Sequence, residues 1–580
     1  MAKVILWNSI AKRRRSISDT FYDNGLATLK GYLEDQGHQV EVVDWARDDF
    51  FQSLSPLALV SILRKLYAIL ISTKSVLIKK ALGLLGIQLQ GLLSVIQERR
   101  LKSKMVDFAC YVRDSGVHVL GIKMWYGEAF LNAKYLVDKI KDIAPEVITI
   151  AGGYHDTLYE EHVLKICQFD LGAVCEGEFP LEQILGVVDA HKDNWNRDTA
   201  LEEVVRLAKQ GSIENIMYRS DGGICKSQRH KLAVRSSKSI PRYTIDENKV
   251  SIHVMVESLG CDWGKCNFCV HPYFYPHYSL RDPDEIVSEI RAMQKMGIGI
   301  FRFAGSDTPP AFGARIGQKI IDSNLRIIFG MGSRAIRGAQ DKFDSLVESY
   351  TTLIKSGLRA VFMGGESGND LINQEVMNKG VGFQDIVFSI KALRQAEERA
   401  GSKVYLSLAL IYPPPLLGKV SLEQVKDDNM RLLKETQPDS VMITPPGPFI
   451  HTKWYEEKKK FGFKLDEGIL ERAMKYEYVL YKPPHLWPKL GIYLDGKPFD
   501  VILSECSELR KLVEGQLDIP TDISDEHFLM FYAAGIRDKD DIVVAKQETM
   551  LDVISCDYTK TRHISFLVNE YSQSLASQAK

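Results

Sequence analysis

The sequence predicts an α/β protein made of two successive units of alternating strand and helix, followed by a mainly helical C-terminal region. Three observations carry that prediction. Short apolar runs of strand length alternate with helix-length segments from residue 3 to about 190. The same alternation restarts near residue 252 and continues to about 443. Beyond about residue 461 it gives way to charged, helix-like sequence with apolar runs at 528–532 and 566–568.

Residues 3–7 form a short apolar strand. Residues 25–36 place Leu26, Leu29 and Leu33 on one helical face and stop at Gly37, and residues 40–44 return as a strand. An apolar region follows from Leu54 to Gln97. Its uncharged part, 81–97, is interrupted by Gln88, Gln90, Ser94 and Gln97, lies just after Lys74, Lys79 and Lys80, and falls short of a spanning helix. Two or three amphipathic helices inserted near 54–105 are expected; a membrane-surface helix pair and a true span are the other readings. The alternation then resumes with strands at 118–123, 147–151 and 171–174 and helices at 132–143, near 160–166 and from Pro180.

This pattern predicts a doubly wound parallel sheet over residues 1–190, with ligands beyond the carboxyl ends of its strands. The loops there are rich in glycine and hydrogen-bonding side chains: Trp7 to Ser9, Met124 to Gly127 with Tyr126, Gly152-Gly153-Tyr154-His155, and Glu176-Gly177-Glu178. They read as ligand loops or as tight strand-to-helix turns. No G-x-G-x-x-G follows the first strand, which argues against a dinucleotide.

A connecting region, 191–247, holds a charged helix at 201–210, a turn at 220–223 and an extended stretch at 240–244. The second unit, 248–460, offers strands at 252–257, 300–304, 326–330, 360–363, 404–411 and 440–443, a partial (β/α) barrel whose chemistry belongs at its C-terminal mouth. Polar groups stand at those strand ends: Gly305, Ser306 and Asp307, then Ser333 and Arg334, then Glu366 and Ser367 in a glycine-rich frame. Each could instead bridge neighbouring loops. Residues 412–415 close the fifth strand, and 444–455 supply His451, Trp454 and Tyr455 as candidates for the substrate route. Residues 461–580 are expected to form a helical substrate-side cap in which Cys506 and Cys556 are plain thiols.

Composition limits the function. A chain of 580 residues with 74 Lys plus Arg against 75 Asp plus Glu has no broad basic face for nucleic acid. Nine scattered cysteines and no secretory signal fit a reducing compartment, so a cytoplasmic location without membrane association is expected. The basic run 12–15 reads as a solvated loop or an anion contact.

The most informative motif is Cys261, Cys266 and Cys269 within nine residues. Three converging thiolates suit an iron-sulfur cluster that leaves one iron open. Zinc is the alternative, with His271 as a fourth ligand, and unrelated buried cysteines are the third reading.

At these residues the chain resembles the radical S-adenosylmethionine (SAM) superfamily. Three cysteines there bind a 4Fe-4S cluster whose fourth iron SAM chelates. The usual spacing is C-x3-C-x2-C. Here it is C-x4-C-x2-C, and longer first intervals occur in the cobalamin-dependent branch. The resemblance implies that Phe268 packs near the SAM adenine, that Gly305, Ser306 and Asp307 hold its amino group, that Arg334 pairs with its carboxylate, and that Glu366 and Ser367 form an acidic contact. Over residues 1–190 the loops look like the cobalamin-binding domain of that branch. Trp7, Tyr126, Gly127, Gly152, Gly153, Tyr154, His155, Glu176, Gly177 and Glu178 are then candidates to surround cobalamin. No D-x-H-x-x-G loop follows the first strand, so the dimethylbenzimidazole is expected to be displaced with no histidine in its place.

The function this implies is a cobalamin-dependent radical SAM C-methyltransferase for a peptide or natural-product intermediate. A deoxyadenosyl radical would abstract hydrogen from an unactivated carbon, methylcobalamin would methylate it, and flavodoxin or ferredoxin would supply electrons. Cyclisation, ring contraction or oxidation without methyl transfer is the alternative reaction, and a non-catalytic cobalamin or cluster carrier the alternative of another class.

Overall fold

A computed structural model of the chain describes residues 1–229, 239–476, 482 and 486–578. Its first sheet has seven strands: β1 (Lys3–Asn8), β2 (Gln39–Val43), β3 (Val119–Lys123), β4 (Ile148–Gly152), β5 (Leu171–Ala173), β6 (Ile216–Ser220) and β7 (Gly223–Lys226), in the order β2-β1-β3-β4-β5-β6-β7. The first five pair in parallel, and β5-β6 and β6-β7 are antiparallel. β1 and β3 are buried nearly throughout because helices cover both faces, which explains their almost unbroken apolar runs. The stretch read as a connection thus extends the first sheet: the turn at 220–223 is the tip of the β6-β7 hairpin. Residues 230–238 of that region lie outside the described residues.

The insertion is a helical hairpin, Leu57–Ser72 and Val76–Asp114. Its second helix runs beyond the expected boundary near 105, because Met105, Phe108, Ala109 and Val112 pack into the core of the first unit.

β8 (Ile252–Met255) begins the second unit. β9 (Ser258–Leu259) and β10 (Ser279–Leu280) form a short antiparallel pair, and β11 (Ile300–Phe303), β12 (Ile328–Arg334), β13 (Leu358–Glu366), β14 (Tyr405–Ile411) and β15 (Ser440–Thr444) complete a parallel sheet ordered β15-β14-β13-β12-β11-β8. Each strand is followed by a helix with an apolar face, such as Pro283–Lys295 and Phe343–Ser356, and these helices bury Phe301, Phe303, Phe329 and Met331 on the outer side. The sheet is an open six-stranded barrel wall.

Its hollow is filled from the chain's end. Ile252, Ile300, Ile328, Ala360 and Tyr405, at the starts of five strands, pack against Phe528, Leu529, Met530 and Phe531 of the helix Asp525–Ala533. Phe528 stacks on Tyr405 with centroids 5.0 Å apart. The helix Thr559–Ser577 seals the same end, where Ser572 Oγ accepts from the Gly299 N–H at 2.9 Å and Asn569 Oδ1 from the Ser251 N–H at 2.7 Å. The substrate-side cap expected of 461–580 is therefore corrected for these helices. They plug the end opposite the cysteine loop, because their apolar faces match the bare strand starts.

Candidate functional site

The cysteine loop follows β8 and is docked on the segment after β13. The Asn267 N–H donates to the Met377 carbonyl at 2.8 Å, its side-chain amide to the Val376 carbonyl at 3.1 Å, and Trp263 Nε1 to the Asn378 carbonyl at 2.7 Å. Trp263 lies so close to Gly380 that a Cβ there would sit 2.4 Å from the ring, and Gly380 also has φ +73°, so only glycine fits.

All three thiols are half-buried, and Cys269 is within electrostatic reach of both Cys261 and Cys266. Burial raises all three above the usual thiol range, Cys266 to about 12, with Asp307 adding to the effect on Cys261. The Cys261 thiol donates to Asp262 Oδ1 and Asp307 Oδ2, each at 3.8 Å, and these three ligand atoms lie within 4.8 Å of one another. Deprotonated, Cys261 would add a negative charge beside these two carboxylates, which a metal centre held there would offset. His271, the proposed zinc ligand, is bonded through Nδ1 to Ser306 Oγ at 2.9 Å and is not in that group of close ligand atoms.

Around the thiols the strand ends form one network. Asp307 Oδ1 accepts from the Arg334 N–H at 3.2 Å, and burial together with the charge of Asp262 pushes the Asp307 carboxyl up to about 6. The Arg334 guanidinium reaches Asp262 at 3.4 Å and the Lys379 carbonyl at 2.6 Å, with Trp263 beneath it at 5.3 Å. Glu366, at a bulge in β13 with φ +61°, accepts from Lys379 Nζ at 2.7 Å. Gly305 donates to both Glu257 oxygens at 3.1 and 3.0 Å, and a Cβ there would lie 2.2 Å from Ser258 Oγ.

A cavity of about 650 Å³ opens at the carboxyl ends of the first sheet and continues to the barrel wall, a volume within the usual range for ligand sites. Its apolar floor includes Leu6, Ile150 and Ala173, its rim Gly152, Gly153, Glu176, Gly177 and Glu178, and its far side Val254, Val256, Leu259 and Arg302. Because β2 and β3 flank β1 on opposite sides, the loops after β1 and β3 diverge here and leave a crevice. Lys123 pairs with Asp23, the residue that caps the helix Asn24–Asp35. Burial opposes ionisation of Asp23, yet Lys123 and the Leu26 N–H outweigh it and hold the carboxyl below its usual range. Arg13, also at the wall, donates to Gln90 at 2.7 Å and Gln97 at 2.9 Å.

No known family profile matches the chain. Among curated proteins it is similar to the anaerobic magnesium-protoporphyrin IX monomethyl ester cyclase of Rubrivivax gelatinosus, 24% identical over 265 residues that make up 43% of this chain and 44% of that protein. The enzyme of the same name from Cereibacter sphaeroides is 23% identical over 377 residues, 61% and 54% of the two chains. The chain thus spans about half the length of the curated relatives it matches. Among solved structures, TsrM from Kitasatospora setae, a radical SAM methyltransferase with cobalamin and a [4Fe-4S] cluster bound, superposes with a TM-score of 0.57 at 12% identity, covering 95% of this chain and all of that one. OxsB, a cobalamin-dependent SAM radical enzyme with aqua-cobalamin and SAM bound, superposes at 0.53 with 13% identity over 96% of this chain and 72% of that one.

The chain has the fold of cobalamin-dependent radical SAM enzymes. Within that fold, five of the first-unit candidates line the cavity: Gly152, Gly153, Glu176, Gly177 and Glu178. The other five do not. Trp7 alternates with Leu6 and Asn8, which face the cavity, so its ring points into the opposite core against Trp45 and Phe108. Gly127 starts the helix Glu128–Ile143, and Tyr126 lies against His155, its carbonyl accepting from Arg15. Tyr154 packs on Phe274 of the second unit at 4.6 Å. His155 is buried between Phe130 and Tyr159, where desolvation and the nearby His162 lower its pKa to about 3.

In the second unit Ser367 is fully buried, and its hydroxyl lies 3.3 Å from Asn429 Oδ1 and accepts from the Asn369 N–H at 3.1 Å. Phe268 packs on the buried Trp454 at 5.7 Å, so Trp454 belongs to the core and not to a route. His451 bridges the two units, stacked on Tyr273 at 3.7 Å and bonded through Nε2 to the Leu158 carbonyl at 3.1 Å. Sequence reasoning read Arg13 only as part of the basic run 12–15, and it missed Lys379, Trp263, Lys123 and Asp23. Only Trp263, inside the cysteine motif, carried a local signal.

Proposed function

We propose that the chain is a cobalamin-dependent radical SAM enzyme that methylates an unactivated carbon of a peptide or natural-product intermediate, with an electron donor such as flavodoxin or ferredoxin. The observation that supports this is the cavity at the carboxyl ends of the first sheet, whose far side, Val254, Val256 and Leu259, is the strand and turn that lead into the cysteine loop. It supports a cobalamin chamber that adjoins the cysteine loop, while the cysteines, Asp307, Arg334, Glu366 and Lys379 stand outside its lining. Cys261, Cys266 and Cys269 would hold the 4Fe-4S cluster, Asp307, Arg334 and the Glu366–Lys379 pair the polar end of SAM, and Gly152, Gly153, Glu176, Gly177 and Glu178 the cobalamin. When bound, these groups supply hydrogen-atom abstraction and methyl transfer. No histidine lines the cavity among the described residues. The protein's own part is to fix Gly305 through Glu257, to orient Arg334 through Asp262 and the Lys379 carbonyl, and to exclude water with its apolar walls.

The similarity to two proteins named as cyclases favours a second reading, a cobalamin-dependent cyclisation without net methyl transfer. One experiment separates the readings. The anaerobically reconstituted chain is expected to hold about four irons and about one cobalt, and a Cys261→Ala, Cys266→Ala, Cys269→Ala variant to lose only the iron. Deoxyadenosine together with S-adenosylhomocysteine from SAM supports methylation. Deoxyadenosine alone supports cyclisation, and neither product with both cofactors bound makes the chain a carrier.

A further inference from the structure

The helical hairpin Leu57–Ser72 and Val76–Asp114 carries the largest feature that the cavity and the cysteine loop leave unexplained. Its tip is apolar and uncovered. Ile69, Ile71, Val76, Leu77, Leu84 and Leu85 are all exposed, Leu77 at 81% and Ile71, Val76 and Leu84 at 65% each. The longer helix has an 18-residue stretch apolar enough to cross a membrane, and only 17% of that stretch is buried in the protein, so this part of the helix is not core. Isolated exposed leucines are ordinary, but a contiguous patch on neighbouring turns of paired helices marks a contact surface.

Charge identifies the partner. From Leu54 to Gln97 the sequence has no Asp or Glu, while it has Arg64, Lys65, Lys74, Lys79 and Lys80. Arg64 is at the base of the hairpin, tied to Glu548 at 3.0 Å and to Asp552. Lys65, Lys74, Lys79 and Lys80 are exposed and in no ion pair among the described residues, and three of them surround the apolar tip. Apolar side chains ringed by uncompensated lysines match the acyl boundary and headgroups of an anionic bilayer.

The dimensions fit lying on a membrane and not crossing it. From Val76 to Leu85 a helix rises about 15 Å, roughly half the hydrocarbon core. Below that point the helix is fixed by its own protein: Gln90 and Gln97 are buried and hold Arg13 at the cavity wall.

We propose that this hairpin tip is a docking surface for an anionic lipid bilayer, replacing the expectation of no membrane association. Docking there places the cavity wall at Arg13 about 20 Å from the tip, by the rise of thirteen helical residues. The proposal does not depend on which reaction the chain performs.

The test is flotation of the full chain with vesicles of phosphatidylcholine alone and of equal parts phosphatidylcholine and phosphatidylglycerol. Binding is expected only with phosphatidylglycerol and is expected to fall at high salt. Lys74→Ser, Lys79→Ser and Lys80→Ser should each weaken it about fivefold. The double variant Leu77→Glu, Leu84→Glu should abolish it while keeping the wild-type circular dichroism and iron content, since both side chains are exposed. No flotation with anionic vesicles overturns the proposal. So does a dimer in solution that the same double variant dissociates, because the face would then belong to a second copy.

Discussion

Glu366 Oε1 lies 2.7 Å from Lys379 Nζ, and both side chains are buried where β13 ends beside the cysteine loop. Burial disfavours the ammonium, but Glu366 and Cys266 outweigh it and raise the Lys379 pKa. Lys379→Met should therefore strand a buried carboxylate and lower stability by about 3–5 kcal/mol. Adding Glu366→Gln should restore much of the loss, read as the urea midpoint of single and double variants. A single variant as stable as wild type would show that the pair is solvated.

The cavity predicts a selective loss. Ala173 is on its floor, so Ala173→Phe should fill it at a cost of about 1–3 kcal/mol from overpacking. After reconstitution the variant should bind less cobalt and the usual iron, because the cysteine loop belongs to the other sheet. Equal loss of both metals would mean that the substitution unfolds the chain.

His155 makes acid stability testable. Its pKa is about 3 in the folded chain, lowered chiefly by burial, against an ordinary 6.5. The unfolded chain therefore binds a proton that the folded chain refuses between those values. The stability contributed by the neutral ring is complete above pH 6.5 and declines by up to about 1.4 kcal/mol per unit as pH falls towards 3. His155→Phe should flatten that part of the profile, measured as unfolding midpoint against pH. A slope unchanged in the variant would assign the acid sensitivity to other groups.

Phe528 tests the plug. Its ring is 2% exposed and stacked on Tyr405, so Phe528→Ala should cost about 3–5 kcal/mol. Conserved iron binding alongside a lowered thermal midpoint is the expected result.

Much of this architecture was readable in the sequence, and the parts that were not share a cause. The six barrel strands and the parallel strands of the first unit stand close to their expected places, since β/α alternation is a local pattern. Glycine loops could be located by type, but only strand alternation decides that Leu6 and Asn8, and not Trp7, reach the cavity. Lys379 follows Glu366 by thirteen residues and meets it because the chain bends back beneath Cys266, a long-range fact with no motif. The β6-β7 hairpin and the plug helix were misplaced because periodicity gives the identity of an element and not its neighbour. Apolar runs at 528–532 showed that something would be buried; the bare starts of five strands decided where.

The plug also sets an order of events during biosynthesis. Ile252, Ile300, Ile328, Ala360 and Tyr405 emerge from the ribosome long before Phe528 to Phe531, at about 5–20 residues per second. For that interval the hollow of the half-made barrel is an uncovered greasy trough, open to a chaperone or to another nascent chain. A truncation just before Asp525 makes that interval permanent. Such a fragment should collect in inclusion bodies although it retains every strand among the described residues and the three cysteines of the loop after β8.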